Sequence, residues 1–314
     1  MMTRRGGQSW LAIWAVCALG CASNHEVSSY PVDLAPGLDG GAPTAATVVD
    51  ANAGKIDAAL PARGDAAAAD EPEVCDGVDN DANGIIDDVD VGRDGVCDCL
   101  LIATLGHPGG SGQGDVFGTW LDARSDQGAA ELGDATLTPQ LLAKYQLIVA
   151  QDLHNLDAYS PQELDALEAW VRAGGGLLTL IGYAKPDERT NANAILARFG
   201  IDYGAMPILP RSGQATVPVR DWVPHPVTEG VTAVGVDNGY PVEGAGSALA
   251  SEAGYTLLRA APIGEGHVLA WGDEWITYDS EWQNGGSYQV ERLWLNMIKW
   301  LTAARVCQVP PIVQ

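Results

Sequence analysis

Two short, nearly unbroken apolar runs with an amphipathic segment between them dominate the middle of the chain. Leu147–Ala150 and Leu177–Ile181 have the pattern of strands that are buried on both faces. The segment between them places Leu164, Leu167 and Val171 at helical spacing. Because two strands joined by a helical crossover run parallel, this unit predicts a doubly wound α/β fold with a mostly parallel sheet, flavodoxin-like in class.

Polar and small residues mark where the intervening helix begins and ends. Ser160 stands at the N-cap position, Pro161 lies in the first turn, and Glu163 occupies the third helical position. This is the spacing of a capping box. Gly174–Gly176 follows the apolar stripe, and glycine adopts at little cost the left-handed backbone angles that commonly end a helix.

Further predicted strands and helices lie on either side of this unit. We expect strands at Cys99–Leu105 and Gly266–Trp271, and helices over about Thr138–Tyr145 and Asp187–Phe199. Gly200–Gly254 is rich in turn residues and predicts short strands and turns. A last helix is predicted by apolar residues that share one face: Val290, Leu293, Trp294, Met297, Ile298 and Leu301.

Composition narrows the classes of partner. The 314 residues carry a formal net charge of −24, with 41 acidic and 17 basic side chains. Nucleic acids and anionic membrane surfaces repel such a protein, so we expect no nucleic-acid partner. The charge fits calcium binding or, for most of it, simple solubility outside the cytoplasm.

The first 21 residues have the composition of an export signal. Arg4 and Arg5 form a basic start, and Trp10–Leu19 is an apolar core too short to span a bilayer. The stretch that ends at Cys21 resembles a bacterial lipobox, which implies lipidation of Cys21 and an N-terminal lipid anchor in a membrane. Ordinary signal cleavage near Ala22 is the alternative.

Composition also sets the expected domain boundaries. Residues 22–72 are rich in Ala, Gly, Asp, Ser and Pro without a helical or strand period, and predict a disordered tether. Residues 73–98 form a calcium-loop segment, residues 99–307 an α/β domain and residues 308–314 a tail. We expect the protein in the bacterial cell envelope, as an outer-membrane lipoprotein or a secreted protein.

The calcium prediction rests on oxygen ligands that alternate around a glycine. Calcium takes six to eight hard oxygen ligands, and an EF-hand-type loop supplies them at positions one, three, five, seven, nine and twelve, with a glycine at six. Gly84 fits position six. The predicted ligands are Asp79, Asp81, Asn83, the Ile85 carbonyl, Asp87 and Asp90. An Asx-rich turn without an ion is the alternative.

The start of this loop, Cys75-Asp76-Gly77-Val78-Asp79-Asn80-Asp81, resembles a metal-binding repeat of secreted bacterial proteins. Thrombospondin type 3 repeats have a similar pattern. The resemblance covers about Glu73 to Asp90, and Ala82 stands where a cysteine is frequent.

Four cysteines remain after the export signal: Cys75, Cys97, Cys99 and Cys307. An even number in an exported chain predicts two disulfides, with three possible pairings. We favour Cys75–Cys97, which closes the calcium loop, and Cys99–Cys307, which ties the first strand to the end of the chain. A zinc site is the alternative, although the paired spacing of zinc cysteines is missing.

The order of the parts resembles the class I glutamine amidotransferase-like fold, in its ThuA-like branch. The resemblance covers about Leu100–Ala304 and is carried by Tyr145–Val149, Leu164–Leu178, His225–Val231, and Gly264–Val268 leading to Gly272-Asp273. Enzymatic members hold a cysteine nucleophile in a tight turn after a central strand. Here Gly182-Tyr183-Ala184 follows that strand, and the chain contains neither G-x-C-x-G nor G-x-S-x-G. The resemblance therefore implies the fold without the nucleophile.

Ligands of such sheets gather at the carboxyl ends of the strands, near a switch in strand order. That rule nominates six residues: His107, Asp152, His154, Tyr183, Asp273 and Glu274. The first three offer metal ligands from neighbouring loops, and Asp273 with Glu274 offers an acid–base pair. The alternative is that Asp152 and Asp273 cap turns and that His154 is a surface residue.

Two further loops have ligand-binding composition. The glycine-rich segment His107–Asp115 is either a binding loop or a mobile one, since it lacks the lysine of a phosphate-binding loop. The aromatic residues that follow the strand ending at Trp271 either stack on a sugar ring or pack over the sheet edge: Trp275, Tyr278, Trp282 and Tyr288. His225, between two prolines, is interpreted as structural.

Two functions follow from these observations. The first is an exported, calcium-binding lipoprotein whose non-catalytic α/β domain binds a small molecule, a glycan or a protein partner at the cell surface. The second is a hydrolase or other enzyme that acts on glycans or small carbonyl compounds.

Overall fold

A computed structural model describes residues 72–82, 86–109, 114–182, 188–207, 217–237, 239–283 and 286–302. All of them belong to one structural unit, residues 64–314. The predicted export signal with Cys21, nearly all of the tether, Cys307 and the tail lie outside the described residues. No helix within the described ranges is long and apolar enough to cross a bilayer.

Twelve strands and six helices are defined within these ranges. The strands are β1 (Ile102–Gly106), β2 (Ala130–Glu131), β3 (Leu147–Gln151), β4 (Gly176–Leu180), β5 (Ile201–Tyr203), β6 (Val217–Val219), β7 (Asp221–Trp222), β8 (Val234–Val236), β9 (Val242–Gly244), β10 (Ser247–Glu252), β11 (Tyr255–Ile263) and β12 (Gly266–Trp271). The helices are α1 (Asp115–Asp122), α2 (Pro139–Leu142), α3 (Pro161–Arg172), α4 (Glu188–Leu196), α5 (Asp279–Trp282) and α6 (Val290–Leu301).

The main sheet has eight strands in the order β2-β1-β3-β4-β12-β11-β10-β7. The first five are parallel to one another, and the last three pair in antiparallel fashion. The parallel part has the 2-1-3-4-5 order of flavodoxin-like folds, in which the direction of winding reverses between β1 and β3. The predicted α/β class with a mostly parallel sheet is confirmed.

Helices cover both faces of the sheet, so its central strands are buried throughout. In β3, Leu147 and Val149 face a core built with α1 and α6, whereas Ile148 and Ala150 face a second core built with α2, α3 and α4. Every residue of β3 and of β4 is buried. This is why the two strands read as continuous apolar runs rather than as an alternation.

The strand–helix–strand unit is confirmed in detail. The Ser160 hydroxyl accepts from the Glu163 N–H, and the Glu163 carboxylate accepts from the Ser160 N–H, which completes the capping box. Gly174, with φ of 118°, follows the helix. β3 and β4 pair in parallel, as the crossover requires. The predicted strand at β12 and the predicted helix at α6 are also confirmed.

The antiparallel side of the sheet was not predicted. β11 is nine residues long and joins β12 to β10, yet its sequence interrupts the apolar pattern with Arg259 and Pro262. The structure accommodates both residues. The Arg259 side chain donates to the carbonyls of Val242 and Gly246. Pro262 lies near the end of the strand.

The favoured disulfide pairing is wrong. Cys75 is bonded to Cys99, with a Cα–Cα distance of 5.4 Å. Cys97 is also disulfide-bonded. As partners of Cys75, Cys97 and Cys99 close loops that differ by only two residues, so closure entropy does not distinguish them. Cys99 is completely buried at the start of the sheet, whereas Cys97 is half-buried.

Replacing Ser160 with alanine removes the side-chain acceptor of the capping box. We expect the free energy of unfolding to fall by about 1 kcal/mol, since N-cap hydroxyls contribute on that scale. Urea unfolding measures the change. The exposed helical substitution Thr119→Ala is the control and should change stability by no more than about 0.5 kcal/mol. Equal effects of both substitutions would contradict the role of the capping box.

Candidate functional site

The carboxyl ends of four parallel strands meet at one edge of the sheet. β1 ends at Gly106, β3 at Gln151, β4 at Leu180 and β12 at Trp271. The winding reverses between β1 and β3, so this edge contains the position where ligands of such sheets bind. We call it the carboxyl edge.

The ends of β1 and β3 touch through their backbones at the reversal point. Gly106 has φ of 71°, and a Cβ built on it would lie 1.9 Å from the Gln151 carbonyl oxygen. The N–H of His107 donates to that same oxygen at 3.0 Å. A side chain at position 106 would therefore separate the strand ends, and only glycine permits the contact.

Asp152 and His154 form a side-chain pair directly after β3. Asp152 has a left-handed backbone conformation and precedes a 3-10 turn, Leu153–Asn155. Its carboxylate contacts Nδ1 of His154, and both side chains are largely buried. The amide of Asn191 on α4 donates to three carbonyls of this segment, including that of Leu153. A carboxylate that holds one imidazole nitrogen fixes the orientation of the ring, which is the arrangement of an oriented general base.

Glu274 crosses the end of β4 to reach the end of β3. It follows β12, and its carboxylate lies directly over Gly182, where an added Cβ would be 1.9 Å from Oε2. The Gln151 amide donates to the same oxygen at 3.5 Å. Gln151 is fully buried and Glu274 is nearly so. The absence of a side chain at position 182 therefore allows Glu274 to lie between two strand ends.

Asp273 is buried beside Glu274 and holds a neighbouring loop. Its Oδ2 accepts from the N–H groups of Asp237 and Gly239, and its Oδ1 accepts from the Trp275 N–H at 2.7 Å. Burial raises the pKa of Asp273 to about 7; the Trp275 N–H opposes that rise, and the negative charge of Glu274 adds to it. Asp273 therefore combines a loop-capping role with a carboxyl group that titrates near neutrality.

The predicted edge residues occupy different environments. His107 is exposed, whereas Asp152 and His154 pair with each other and Asp273 and Glu274 are buried side by side. Tyr183 lies outside the described residues. Within the described ranges, His107, Asp152 and His154 do not converge as a three-ligand metal group.

The remaining predicted features have local roles. Nδ1 of His225 accepts from the Val227 N–H, which fits its structural interpretation. The ring of Trp282 packs against Phe117 and Trp120, and its indole N–H donates to the Ile276 carbonyl. Trp275 and Tyr278 are half-buried and contact each other, with ring centroids 5.4 Å apart.

Three carboxylates converge in the predicted calcium loop. Ligand oxygens of Glu73, Asp79 and Asp81 lie within 4.8 Å of one another. Glu73 also accepts from the backbone N–H groups of Asn80 and Asp81, so it is held against the start of the loop. Asn83, Gly84 and Ile85 lie outside the described residues. A set of hard carboxylate oxygens fits calcium.

The carboxylates at loop positions nine and twelve bind backbone instead. Asp87 is buried, and its Oδ1 accepts from the N–H groups of Asp76 and Gly77. Both oxygens of Asp90 accept backbone N–H groups, from Asp94 and Gly95. These carboxylates therefore shape the loop through its main chain.

Sequence reasoning missed three participants in these sites: Glu73, Gln151 and Gly182. Glu73 precedes the loop motif, so a motif search does not count it. Gln151 could have been recognised as a site residue from the sequence, because it is a polar residue at the end of an otherwise apolar strand. The role of Gly182 depends on Glu274, which is distant in sequence.

Comparisons with known proteins support the fold. The Salmonella typhimurium LT2 cytoplasmic protein STM1381 is 17% identical, with a TM-score of 0.51 over 65% of this chain and 100% of that one. The mmIFT52 N-terminal domain is 14% identical, with a TM-score of 0.50 over 64% and 96%. A putative ThuA-like protein from Parabacteroides merdae ATCC 43184 is 14% identical, with a TM-score of 0.38 over 66% of this chain and 92% of that one. No protein-family model and no curated protein sequence matches the chain.

Replacing Asp273 with asparagine should change the pH dependence of stability. Exposed aspartates titrate near pH 4, so between about pH 4 and pH 7 the folded state retains a proton that the unfolded state has lost. Raising the pH through that window therefore destabilises the wild type, by at most about 4 kcal/mol. The stability of the Asp273→Asn variant does not fall in this way, because asparagine does not titrate. The variant is without one carboxylate acceptor at every pH.

Urea unfolding at several pH values between 4 and 7 measures the difference between the two proteins. We expect the stability of the wild type relative to Asp273→Asn to decrease as the pH rises. Asp134→Asn, at an exposed position, is the control and should show no such trend. A pH-independent difference for Asp273→Asn would show that Asp273 has an ordinary pKa.

Proposed function

We propose that this chain is an exported, calcium-binding lipoprotein of the bacterial cell envelope, whose α/β domain binds a ligand or partner without nucleophilic catalysis. The observation that carries the non-catalytic part is the contact between Glu274 and Gly182. In the amidotransferase-like pattern, a nucleophile follows a central strand. After β4 the chain continues as Gly182-Tyr183-Ala184, with neither cysteine nor serine, and the Glu274 carboxylate fills the space that a side chain at position 182 would take.

The carboxyl edge supports ligand binding because polar groups from separate strands meet there. Gln151, Asp273 and Glu274 place amide and carboxyl groups beside the apolar strand ends Leu180 and Trp271. A few polar groups in apolar surroundings are typical of small-molecule sites.

Calcium binding is proposed on the loop spacing and on the converging carboxylates. Glu73, Asp79 and Asp81 would hold the ion together with the predicted ligands Asn83 and Ile85. The Cys75–Cys99 disulfide joins this segment covalently to the start of the sheet. Calcium would therefore stabilise a segment that packs next to the α/β domain but contains little regular structure.

Export and lipidation are proposed on the N-terminal segment and its lipobox-like end at Cys21. The disulfide chemistry supports the export proposal, since disulfides form and persist mainly in oxidising compartments. All three described cysteines are disulfide-bonded. The protein would attach to the membrane through the N-terminal lipid.

The Asp152–His154 pair favours a second candidate, a hydrolase that acts on glycans or small carbonyl compounds. An imidazole oriented by a carboxylate at the reversal point could activate a water molecule. This candidate needs no nucleophilic side chain after β4.

Calcium should raise the thermal unfolding midpoint of the full chain after chelator treatment. Binding to the folded state alone contributes about 2.7 kcal/mol at a hundredfold excess over the dissociation constant. We expect Asp79→Ala/Asp81→Ala to abolish the calcium shift and Glu73→Gln to weaken it. Asp134→Ala should retain the full shift, because it removes an exposed acid elsewhere. An unchanged calcium response in the double variant would refute the calcium site.

The enzyme candidate predicts turnover that depends on His154. Hydrolysis of nitrophenyl glycosides and esters by the wild type and by His154→Ala, with the exposed His107→Ala as the control, separates the two functions. We expect the wild type to show no turnover that depends on His154. A loss of about a hundredfold or more in a measurable rate, on the scale of general-base catalysis, would favour the enzyme.

A further inference from the structure

Cys97 is disulfide-bonded, and its partner is neither Cys75 nor Cys99, because those two residues are bonded to each other. The sequence contains three other cysteines: Cys17, Cys21 and Cys307. The Cα atoms of a disulfide lie about 4–7 Å apart. The partner of Cys97 is therefore the cysteine that the chain can bring next to it.

The end of α6 lies against the residues that directly precede Cys97. A Cβ built on Gly95 would be 2.7 Å from Nζ of Lys299, which belongs to the last turn of α6. Val96 is buried in the same hydrophobic cluster as Leu301, and Cys97 packs against that cluster. Cys97 is only half-buried, so a second sulfur can approach it from outside the core. The last turn of α6 therefore ends close to Cys97.

The chain beyond α6 is long enough to bring Cys307 to Cys97. Thr302 is the last described residue, and Cys307 follows five residues later. Five residues span up to about 17 Å. The other two cysteines belong to the first 21 residues and precede the first described residue, Pro72, by about fifty residues or more. Closure entropy increases with the number of residues in the connection, so it favours Cys307.

We propose that Cys97 and Cys307 form a disulfide that joins the segment before β1 to the end of the chain after α6. With Cys75–Cys99, this bond holds both ends of residues 75–97 covalently against the α/β domain. A single cut of the backbone between Cys97 and Cys307 leaves the two fragments joined, so the domain stays attached to the N-terminal side of the chain. The proposal depends neither on calcium binding nor on lipidation nor on a ligand of the carboxyl edge.

The bond forms by oxidation of two thiols. Each thiol loses one proton and one electron, and the two sulfur atoms bond to each other. The oxidant is a protein disulfide that reacts by thiol–disulfide exchange, and it takes up both electrons and both protons to become two thiols. An oxidant of the same class serves the Cys75–Cys99 bond.

Peptide mapping of the full chain tests the pairing, after expression with its N-terminal segment into an oxidising compartment and alkylation under denaturing conditions without reduction. Trypsin and the protease Asp-N together separate Cys97 from Cys99, because Asp98 lies between them. We expect residues 94–97 to be linked to residues 306–314. Residues 70–75 linked to residues 98–114 are the internal control, since they carry the Cys75–Cys99 bond.

Substitutions add a second readout. Cys307→Ser should leave one thiol, at Cys97, that is alkylated after denaturation, whereas the wild type should have none there. Val306→Ser, at the neighbouring position, is the matched control and should keep the link. Cys97→Ser, Cys307→Ser and the double variant should lower the thermal unfolding midpoint by a similar amount, about 5–15 °C, because each breaks the same bond.

Three results of the wild-type map would overturn the proposal. They are an alkylated Cys97, a link from residues 94–97 to a peptide that contains Cys17 or Cys21, and a link between two copies of residues 94–97, which would indicate a disulfide-bonded dimer. The map needs no substitution, so it decides the pairing even where a variant does not fold. The calcium response is a separate measurement, and its absence would reject the calcium part of the proposed function while leaving the pairing intact.

Discussion

The burial of parallel strands on both faces is the constraint on which the rest of this structure depends. β3 and β4 have no exposed residue, so neither face of the central sheet can carry a ligand site. Parallel strands also end at a common edge, because each crossover returns the chain to the same side. Polar side chains at the strand ends therefore collect at the carboxyl edge, although Gln151 and Glu274, for example, are 123 residues apart in sequence.

Glu274 and Gly182 come from two neighbouring strands and meet at that edge. The Glu274 carboxylate, in the loop after β12, lies over Gly182, which follows β4. Glu274 thereby links the end of β12 to Gln151 at the end of β3, and Asp273 holds the adjacent loop through the backbone N–H groups of Asp237 and Gly239. The result is a buried, acidic edge at which the Gln151 amide oxygen meets no hydrogen-bond donor among the described residues.

Local features were predictable from the sequence and long-range ones were not. The elements of the strand–helix–strand unit, the Ser160 capping box and α6 follow from residue spacing within each element. β11 escaped prediction because its place in the sheet comes from pairing with β10 and β12, not from its own pattern. The partner of Cys75 and the contact of Glu274 with Gly182 likewise depend on how distant segments pack. A polar residue that ends an apolar strand, as Gln151 does, is the signal that would have improved the site prediction.

A double-mutant cycle between positions 182 and 274 tests most directly whether Glu274 occupies the side-chain space of Gly182. We predict that Gly182→Ala lowers the free energy of unfolding in the wild type but costs little in a Glu274→Ala background, with a coupling energy of about 0.5–3 kcal/mol. Gly118→Ala is the control, since its added Cβ meets no atom within 4 Å, and it should be additive with Glu274→Ala. Additive effects of Gly182→Ala and Glu274→Ala would contradict the account.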